Sequence, residues 1–159
     1  MDRLLRMLKE NALESPKNLA KMLGMSESEV KSKIANYEKT GVIKGYHALV
    51  NEDLLKLSRV QAVIEVKMTP EREGGFDRVA ARIGRFPEVQ SVFLMSGAYD
   101  LLVTVSGSDL KTVAAFVSEK LATIDGVIST STHFMLKTYK EQGVLMLQEE
   151  KSERLSVSP

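Results

Sequence analysis

The sequence contains no cysteine and only two histidines among its 159 residues. Without cysteine, the chain cannot form disulfide bonds, zinc–thiolate sites or cysteine nucleophiles. No apolar run approaches the ~20 residues of a membrane-spanning helix, and residues 1–6 lack the apolar core of a signal peptide. We therefore expect a cytoplasmic protein that has no membrane partner.

Groups that carry out catalysis are also scarce. The two histidines, His47 and His133, lie far apart in sequence and have no ligand-like neighbours. Gly74-Gly75 is not a phosphate-binding loop, because no Gly-Lys-Ser/Thr follows it. No paired carboxylates stand in an apolar context that would suggest acid–base chemistry. We expect no metal site, no cofactor and no catalytic residue, so the chain is predicted not to be an enzyme.

An excess of charge of one sign is missing as well. Lysine and arginine number 22 and acidic residues 21, so the net charge is +1 and the overall composition does not indicate nucleic-acid binding. Residues 1–50 hold nine basic and six acidic residues, a local net charge of +3. A single DNA-binding segment with this charge (a head) would bind DNA weakly, so tight binding would require two or more such heads acting together.

The first half of the chain predicts three short helices. Leucines at helical spacing predict the first over residues 2–11. Ser15-Pro16 opens the second, and Gly24 ends it. Ser26 and Glu29 form a capping box that opens the third. Two short helices separated by a tight glycine turn are typical of a helix-turn-helix.

The third helix has two distinct faces. Its buried stripe is predicted to be Val30, Ile34 and Tyr37, and the opposite side is polar and cationic. Such a face is either an ordinary solvated surface or one that enters the major groove, and the flanking turn and connector favour the groove. The predicted DNA-binding residues are Ser26, Ser28, Lys31, Ser32, Ala35 and Lys39.

A β-prone segment follows the helices. Residues 42–50 could form a wing or hairpin, and residues 51–58 look like a hinge in which Asn51 can cap a helical turn.

The second half then alternates between strand and helix patterns. Strands are predicted over 60–68, 89–95, 99–105 and 127–136, and helices over 76–86 and from Ser108 or Asp109 to about Thr123. This order, β-α-β-β-α-β, predicts a ferredoxin-like domain with both helices on one face of the sheet.

We therefore assign the chain to the α+β class, as a winged helix-turn-helix followed by a ferredoxin-like effector domain. The predicted domains are 1–50 for DNA binding, 51–58 as hinge, 59–140 for ligand sensing and oligomerisation, and 141–159 as a C-terminal tail.

The second and third strands are apolar on both faces, for example Val92 and Leu94 against Phe93 and Met95. A solvated face should alternate cleanly, so we expect a partner chain to cover it. This predicts a homodimer that assembles further into an even-numbered ring or disc.

Several ordered motifs resemble the Lrp/AsnC (leucine-responsive and asparagine-type, feast/famine) family of transcription regulators. They are Asp2-Arg3-Leu4-Leu5, Leu19-Ala20, Gly24-Met25-Ser26, Gly41-Val42-Ile43-Lys44-Gly45-Tyr46 and Gly97-Ala98-Tyr99-Asp100. The resemblance covers about residues 2–140. It implies a bacterial or archaeal regulator that binds double-stranded DNA and responds to an amino acid. Departures from the family pattern are Lys33 in place of arginine, Tyr37 in place of leucine and Ser58 in place of glycine.

The resemblance gives Gly97-Ala98-Tyr99-Asp100 a possible role in effector binding. As a plain turn, Gly97 supplies a permissive backbone and Asp100 bonds nearby amides. As the family's effector loop, the same turn would offer Asp100 to a ligand ammonium and the backbone N–H groups of residues 97–99 to its carboxylate. Thr132, on the closing strand, would add a hydroxyl group.

Two other functions stay open beside the regulator. Glu27 and Glu29 make the start of the third helix acidic, so one alternative is a ligand-binding assembly protein with a degenerate DNA-binding head. A small ferredoxin-like enzyme is the other, and the lack of a nucleophile or metal cluster in the sequence disfavours it.

Overall fold

The computed structural model describes residues 1–55, 59–70 and 75–147, with the side chain of Asp53 left out. Within the chain, two compact units divide after Val50. Three sequence features fall outside the described residues: the end of the predicted hinge with Ser58, the first glycine of Gly74-Gly75, and the tail from residue 148 onward.

The first unit consists of three helices that begin and end where local chemistry requires. They are α1 (Arg3–Glu10), α2 (Pro16–Leu23) and α3 (Glu27–Lys39). The Ser15 side chain accepts a hydrogen bond from the N–H of Asn18 and caps α2. Gly24 ends α2 with a left-handed φ of 67°, which favours glycine. The capping box of Ser26 and Glu29 opens α3 as predicted.

A small apolar core holds the three helices together. Val30 and Leu19 are fully buried, and Ile34 and Tyr37 are half-buried against the same cluster. Each fully buried aliphatic side chain of this kind stabilises the fold by about 1.5–3 kcal/mol. The buried members are Leu4, Leu8, Leu19, Ala20 and Val30.

The segment after α3 forms no strand, so the predicted hairpin over residues 42–50 is not observed. Ile43 donates its N–H to the carbonyl of Tyr37 at 3.0 Å and packs on the core. On either side of Ile43, Val42 and Val50 are 59% and 48% exposed. A β-strand needs a neighbour to accept and donate its backbone hydrogen bonds, and none pairs with residues 42–50 in this unit.

The second unit is a four-stranded antiparallel sheet with its helices on one face. A 3-10 turn (Glu52–Leu55) opens it. The elements that follow are β1 (Val60–Met68), α4 (Asp77–Ile83), β2 (Val89–Leu94), β3 (Leu101–Gly107), α5 (Leu110–Ala115), a π-helical turn (Phe116–Leu121) and β4 (Val127–Phe134). The strand order β2-β3-β1-β4, all antiparallel, confirms the ferredoxin-like fold.

The core of this unit lies between the sheet and the helices. On β1, alternate residues are buried, and β3 presents Leu101, Val103 and Val105 to the same side. From the helix layer, Phe116 meets Phe86 edge to face at 5.6 Å between ring centroids. The other buried residues of this core are Ala62, Ile64, Val66, Met68, Val79, Ile83, Val113, Leu121 and Ile124.

After α5, the helix widens into a π-helical turn, where the sequence predicted a helix running to about Thr123. From Phe116 to Leu121 the helix is π-helical, and the N–H of Ala122 bonds to the carbonyl of Val117 at 2.8 Å. Phe116 and Leu121 are both buried. Five residues apart, they would point about 140° away from each other on an α-helix of 3.6 residues per turn. The wider turn brings both side chains into the core.

The predicted C-terminal tail begins with a short hairpin, which the sequence interpretation missed. Its strands are β5 (Lys140–Glu141) and β6 (Val144–Leu145), joined by Gln142 at φ 46° and Gly143 at φ 90°. Two residues of positive φ form the tight turn that two-residue hairpins prefer. As predicted, Asn51 stands directly before a helical turn, and its carbonyl accepts the N–H of Leu54 at 3.3 Å. Its side-chain amide donates instead to the carbonyl of Met146 at 2.7 Å.

Candidate DNA and effector sites

The predicted DNA-binding residues are all exposed and, apart from Ser26, share one side of α3. Each of Ser28, Lys31, Ser32, Ala35 and Lys39 lies three or four residues from at least one other member of the set, which places them along a single helical stripe. The fully buried Val30 anchors the opposite side. The geometry therefore leaves a continuous polar and cationic surface on this helix.

Ser26 has a different task from the other five. Its hydroxyl accepts the N–H of Glu29 at 3.2 Å and donates to the Glu29 carboxylate at 2.7 Å. The Glu29 carboxylate in turn accepts the N–H of Ser26 at 2.8 Å. Ser26 thus fixes the start of α3, and the hydrogen bonds from Ser26 hold the pKa of Glu29 below its usual value.

The two carboxylates at the start of α3 already have partners within or beside the helix. Glu29 lies in the capping box, and Glu27 pairs with the ammonium of Lys31 at 2.6 Å, one turn along the helix. An exposed pair of this kind is worth about 0–1 kcal/mol. Glu27 therefore competes with any phosphate for Lys31. In the described part of the chain, Lys39 has no such carboxylate partner.

A cluster that sequence reasoning missed joins the start of α1 to α3. The Asp2 carboxylate accepts hydrogen bonds from the hydroxyl of Tyr37 and the N–H of Leu4, and it lies 3.4 Å from the ammonium of Lys33. These contacts, that from Tyr37 foremost, lower the pKa of Asp2 to about 2. The same hydrogen bond raises the pKa of Tyr37. The signal for this cluster lay in the two departures from the family pattern, at positions 33 and 37.

The turn that contains Gly97-Ala98-Tyr99-Asp100 joins β2 to β3. Gly97 has a φ of 150°, which favours glycine. The Asp100 carboxylate accepts the N–H of Met68 at 2.8 Å, and the Asp100 N–H bonds to the carbonyl of Val66 at 3.0 Å. The Asp100 carbonyl accepts the N–H of Met95 at 2.8 Å. Asp100 therefore ties the turn to the end of β1.

Thr132 does not lie beside this turn in the same chain. It pairs with Ile64 in the middle of the sheet and shares the helix-covered face. Asp100 bonds to Met68, four residues further along β1, which is about 13 Å at ~3.3 Å per residue. The structure thus groups residues 97–100 and leaves Thr132 apart from them.

The sheet face opposite the helices is apolar on one half and polar on the other. Phe93 lies across from Leu102 and is 52% exposed. On the far strands, the imidazole of His133 lies 3.5 Å from the Glu65 carboxylate. The doubly apolar character predicted for the second and third strands is therefore present on the β2–β3 half.

The described residues contain neither a metal-ligand cluster nor a helix able to cross a membrane. Across residues 1–55, 59–70 and 75–147, no three histidine, cysteine or acidic side chains are grouped as a metal site would need. Over the same residues, no helix has the length and apolar character to cross a membrane.

Comparisons with known proteins match both units. Residues 3–44 match the family described as winged helix-turn-helix DNA-binding, and residues 61–145 match the Lrp/AsnC ligand-binding domain. The chain is 46% identical over 159 residues to YugG, an uncharacterized HTH-type transcriptional regulator of Bacillus subtilis, covering 98% of this chain and 95% of YugG. It is 27% identical to the leucine-responsive regulatory protein of Haemophilus influenzae, covering 92% and 87% of the two chains.

A solved structure shows the same similarity. The transcriptional regulator NMB0573 of Neisseria meningitidis, solved as a complex with L-Met, superposes with a TM-score of 0.68 at 26% identity. The match covers 91% of this chain and 96% of that one.

Proposed function

The chain belongs to the Lrp/AsnC family of transcription regulators, and from this we propose that it binds double-stranded DNA through α3 and that an amino acid bound by the second unit controls that binding. The observation that carries the proposal is the exposed stripe of α3, capped at Ser26 and anchored on its other side by Val30. A helix held in this way can present its polar side to a major groove.

The residues of the stripe divide by the contacts they can make. Ser28 and Ser32 can exchange hydrogen bonds with base edges or phosphates. Lys31 and Lys39 can pair with phosphates, and Lys39 is the better candidate because Glu27 holds Lys31. Ala35 offers a methyl group to a thymine methyl. Ser26 contributes by fixing the first turn of α3.

The test is a gel-shift with duplex DNA from the region upstream of the chain's own gene. Lys39→Glu should weaken binding by about tenfold, the cost of a lost charge-assisted contact. It should also reduce the slope of log affinity against log salt by about one. Lys111→Glu, an equal charge change on exposed α5, is the control and should leave both values unchanged. If wild type does not bind, or if both variants behave alike, α3 is not the DNA-binding surface.

The effector proposal rests on the family and on one structural neighbour. The Neisseria regulator was solved with L-Met, and residues 97–99 of the turn offer backbone N–H groups for a carboxylate. One oxygen of Asp100 already accepts the Met68 N–H, so a ligand ammonium would share the same carboxylate. Since Thr132 lies about 13 Å away along β1, its hydroxyl would have to come from another copy of the chain.

We also propose that two copies pair through the sheet, with larger even-numbered assembly. Phe93 and Leu102 form an apolar patch on the open face, and the exposed Met95 follows two residues after Phe93. A second copy would remove this surface from water, at about 25 cal/mol for each Å² buried. A ligand held between copies could then bias the spacing of the DNA-binding heads.

The alternative function, a ligand-binding assembly protein with a degenerate DNA-binding head, now has less support. It depended on Glu27 and Glu29 repelling DNA, and both carboxylates have local partners. We assign the chain no catalytic activity, in keeping with its regulator relatives, and place its action in the cytoplasm, where bacterial and archaeal chromosomes lie.

A further inference from the structure

A cavity of about 340 Å³ opens on the helix side of the second unit. It lies between α4 and the turn that leads into β4. Val79 and Ile124, both 3% exposed, contribute apolar lining. Ala81, Asp125 and the arginines at positions 78, 82 and 85 complete it. Pockets of this volume are the size that small organic ligands occupy.

Among the residues that the structure describes, two of its arginines have no carboxylate partner. Arg82 lies on the last turn of α4 and Arg85 in the turn just after it, and both are exposed. Within the described part of the chain, neither guanidinium has a carboxylate within salt-bridge distance. Two like charges that line the same cavity repel each other. An anion placed between them would turn this repulsion into attraction.

The frame around these arginines is fixed by backbone hydrogen bonds. The N–H of Gly84 bonds to the carbonyl of Ala80 at 2.9 Å, and that of Arg85 to Arg82 at 3.2 Å. Across the cavity, the carbonyl of Gly126 accepts the N–H of Thr69 at 2.9 Å. A site whose walls are already ordered loses less entropy when a ligand binds.

We propose that this cavity binds a small phosphate-bearing organic molecule, with Arg82 and Arg85 holding the phosphate and Val79 and Ile124 receiving an apolar part. Guanidinium groups present planar forks that match phosphate oxygens. A phosphoryl group carries enough charge and enough acceptor oxygens to satisfy both arginines, whereas a single carboxylate matches one fork. Asp125, which also lines the cavity, can accept hydrogen bonds from hydroxyl or amino groups of the ligand.

The same arginines could in principle meet the phosphates of DNA. A concave site with apolar lining and an acidic residue suits a small ligand better than a duplex, which presents a row of phosphates on a convex surface. The experiment therefore includes both sources of phosphate.

The experiment uses isothermal titration calorimetry on the full chain, with pyrophosphate and ADP as probes. We expect saturable binding of both, tighter for ADP because its base covers the apolar lining. The Arg82→Ala/Arg85→Ala pair should lose about tenfold or more of that affinity, and the matching lysine pair should be intermediate. The control with an exposed cation removed elsewhere in the unit, Lys111→Ala, should bind like wild type.

Three results would overturn the proposal. The first is that neither probe binds. The second is that Lys111→Ala weakens binding as much as the alanine pair, which would show a diffuse charge effect. The third is that the alanine pair weakens duplex DNA binding in a gel-shift while ADP does not bind wild type, which would assign the arginines to DNA. If the Arg82→Ala/Arg85→Ala pair loses ADP binding but binds DNA like wild type, the result supports the cavity site whether or not α3 binds DNA.

Discussion

The hydroxyl of Tyr37, on α3, donates a hydrogen bond to the carboxylate of Asp2, which caps α1. The two residues are 35 positions apart in sequence. Asp2 also accepts the N–H of Leu4 and lies beside Lys33. One carboxylate therefore links the beginning of the first helix to the helix proposed to read DNA, and it holds Lys33 away from the exposed stripe.

This link makes the stability of the first unit depend on pH. The pKa of Asp2 is lowered from 3.8 to about 2, mainly by the hydrogen bond from Tyr37. Because the folded-state pKa lies below the unfolded value, ionised Asp2 stabilises the fold fully above pH 3.8, and this contribution is lost as pH falls through about 2. Thermal melts of wild type and Asp2→Asn should differ at neutral pH and converge over that acidic window. A gap that stays constant over the window would contradict this role.

Tyr37→Phe keeps the aromatic ring and removes the hydroxyl. We expect its melting temperature to fall by on the order of a few °C at neutral pH. We also expect weaker DNA binding, because α3 loses a tie to α1. The matched variant is Tyr46→Phe, which removes the hydrogen bond to Glu38 at 3.1 Å outside the cluster. Equal loss of DNA affinity in both variants would show that Asp2 does not position α3.

Glu27→Gln removes the carboxylate that holds Lys31 at 2.6 Å. We expect DNA affinity to rise by about two- to fivefold, since an exposed ion pair is worth up to about 1 kcal/mol and Lys31 would be released to a phosphate. Fluorescence anisotropy over a salt series measures both affinity and slope. The control is Glu14→Gln, outside α3. A fall in affinity for Glu27→Gln alone would mean that Glu27 itself contributes to binding.

Asp100 can be tested with two substitutions that separate charge from shape. Asp100→Asn keeps an oxygen to accept the Met68 N–H, so the turn should remain folded. If the carboxylate contacts a ligand ammonium, calorimetry with L-Met or another amino acid that binds wild type should show about tenfold weaker binding. Asp100→Ala should also lose about 1 kcal/mol of stability. Wild-type affinity in Asp100→Asn would make Asp100 a turn residue alone.

Phe93→Glu tests the proposed sheet-to-sheet pairing. Phe93 is 52% exposed on the open face, so a glutamate there should leave the fold intact and shift the chain to smaller species in light scattering. Leu110→Glu is the control, because Leu110 is 56% exposed on the helix layer. Circular dichroism checks folding of both variants. An unchanged mass for Phe93→Glu would place the interface elsewhere.

The sequence predicted those features that depend on local chemistry. Ser26 and Glu29 lie three residues apart, and the alternation of β1 repeats every two residues, so both patterns are legible along the chain. The order of strands and helices then restricts the topology to few choices. For the same reason, all residues of the α3 stripe could be identified before the fold was known.

Features that depend on distant partners could not be predicted in this way. The bond of Asp2 to Tyr37, and that of Asn51 to Met146, join residues far apart in sequence. The π-helical turn is set by the need to bury both Phe116 and Leu121, which helical periodicity alone does not show. The missing hairpin at residues 42–50 is the converse case, since strand propensity forms no strand without a neighbour.

The hydrogen bond between Asn51 and Met146 has a consequence for engineering. It brings the first residue of the second unit next to a residue just beyond the β5–β6 hairpin. A segment whose two ends are adjacent can be inserted into a surface loop of another protein with little strain on the host. Residues 51–146 are therefore suited to transplantation as a cassette, in which ligand binding could be coupled to a fluorescent or enzymatic host.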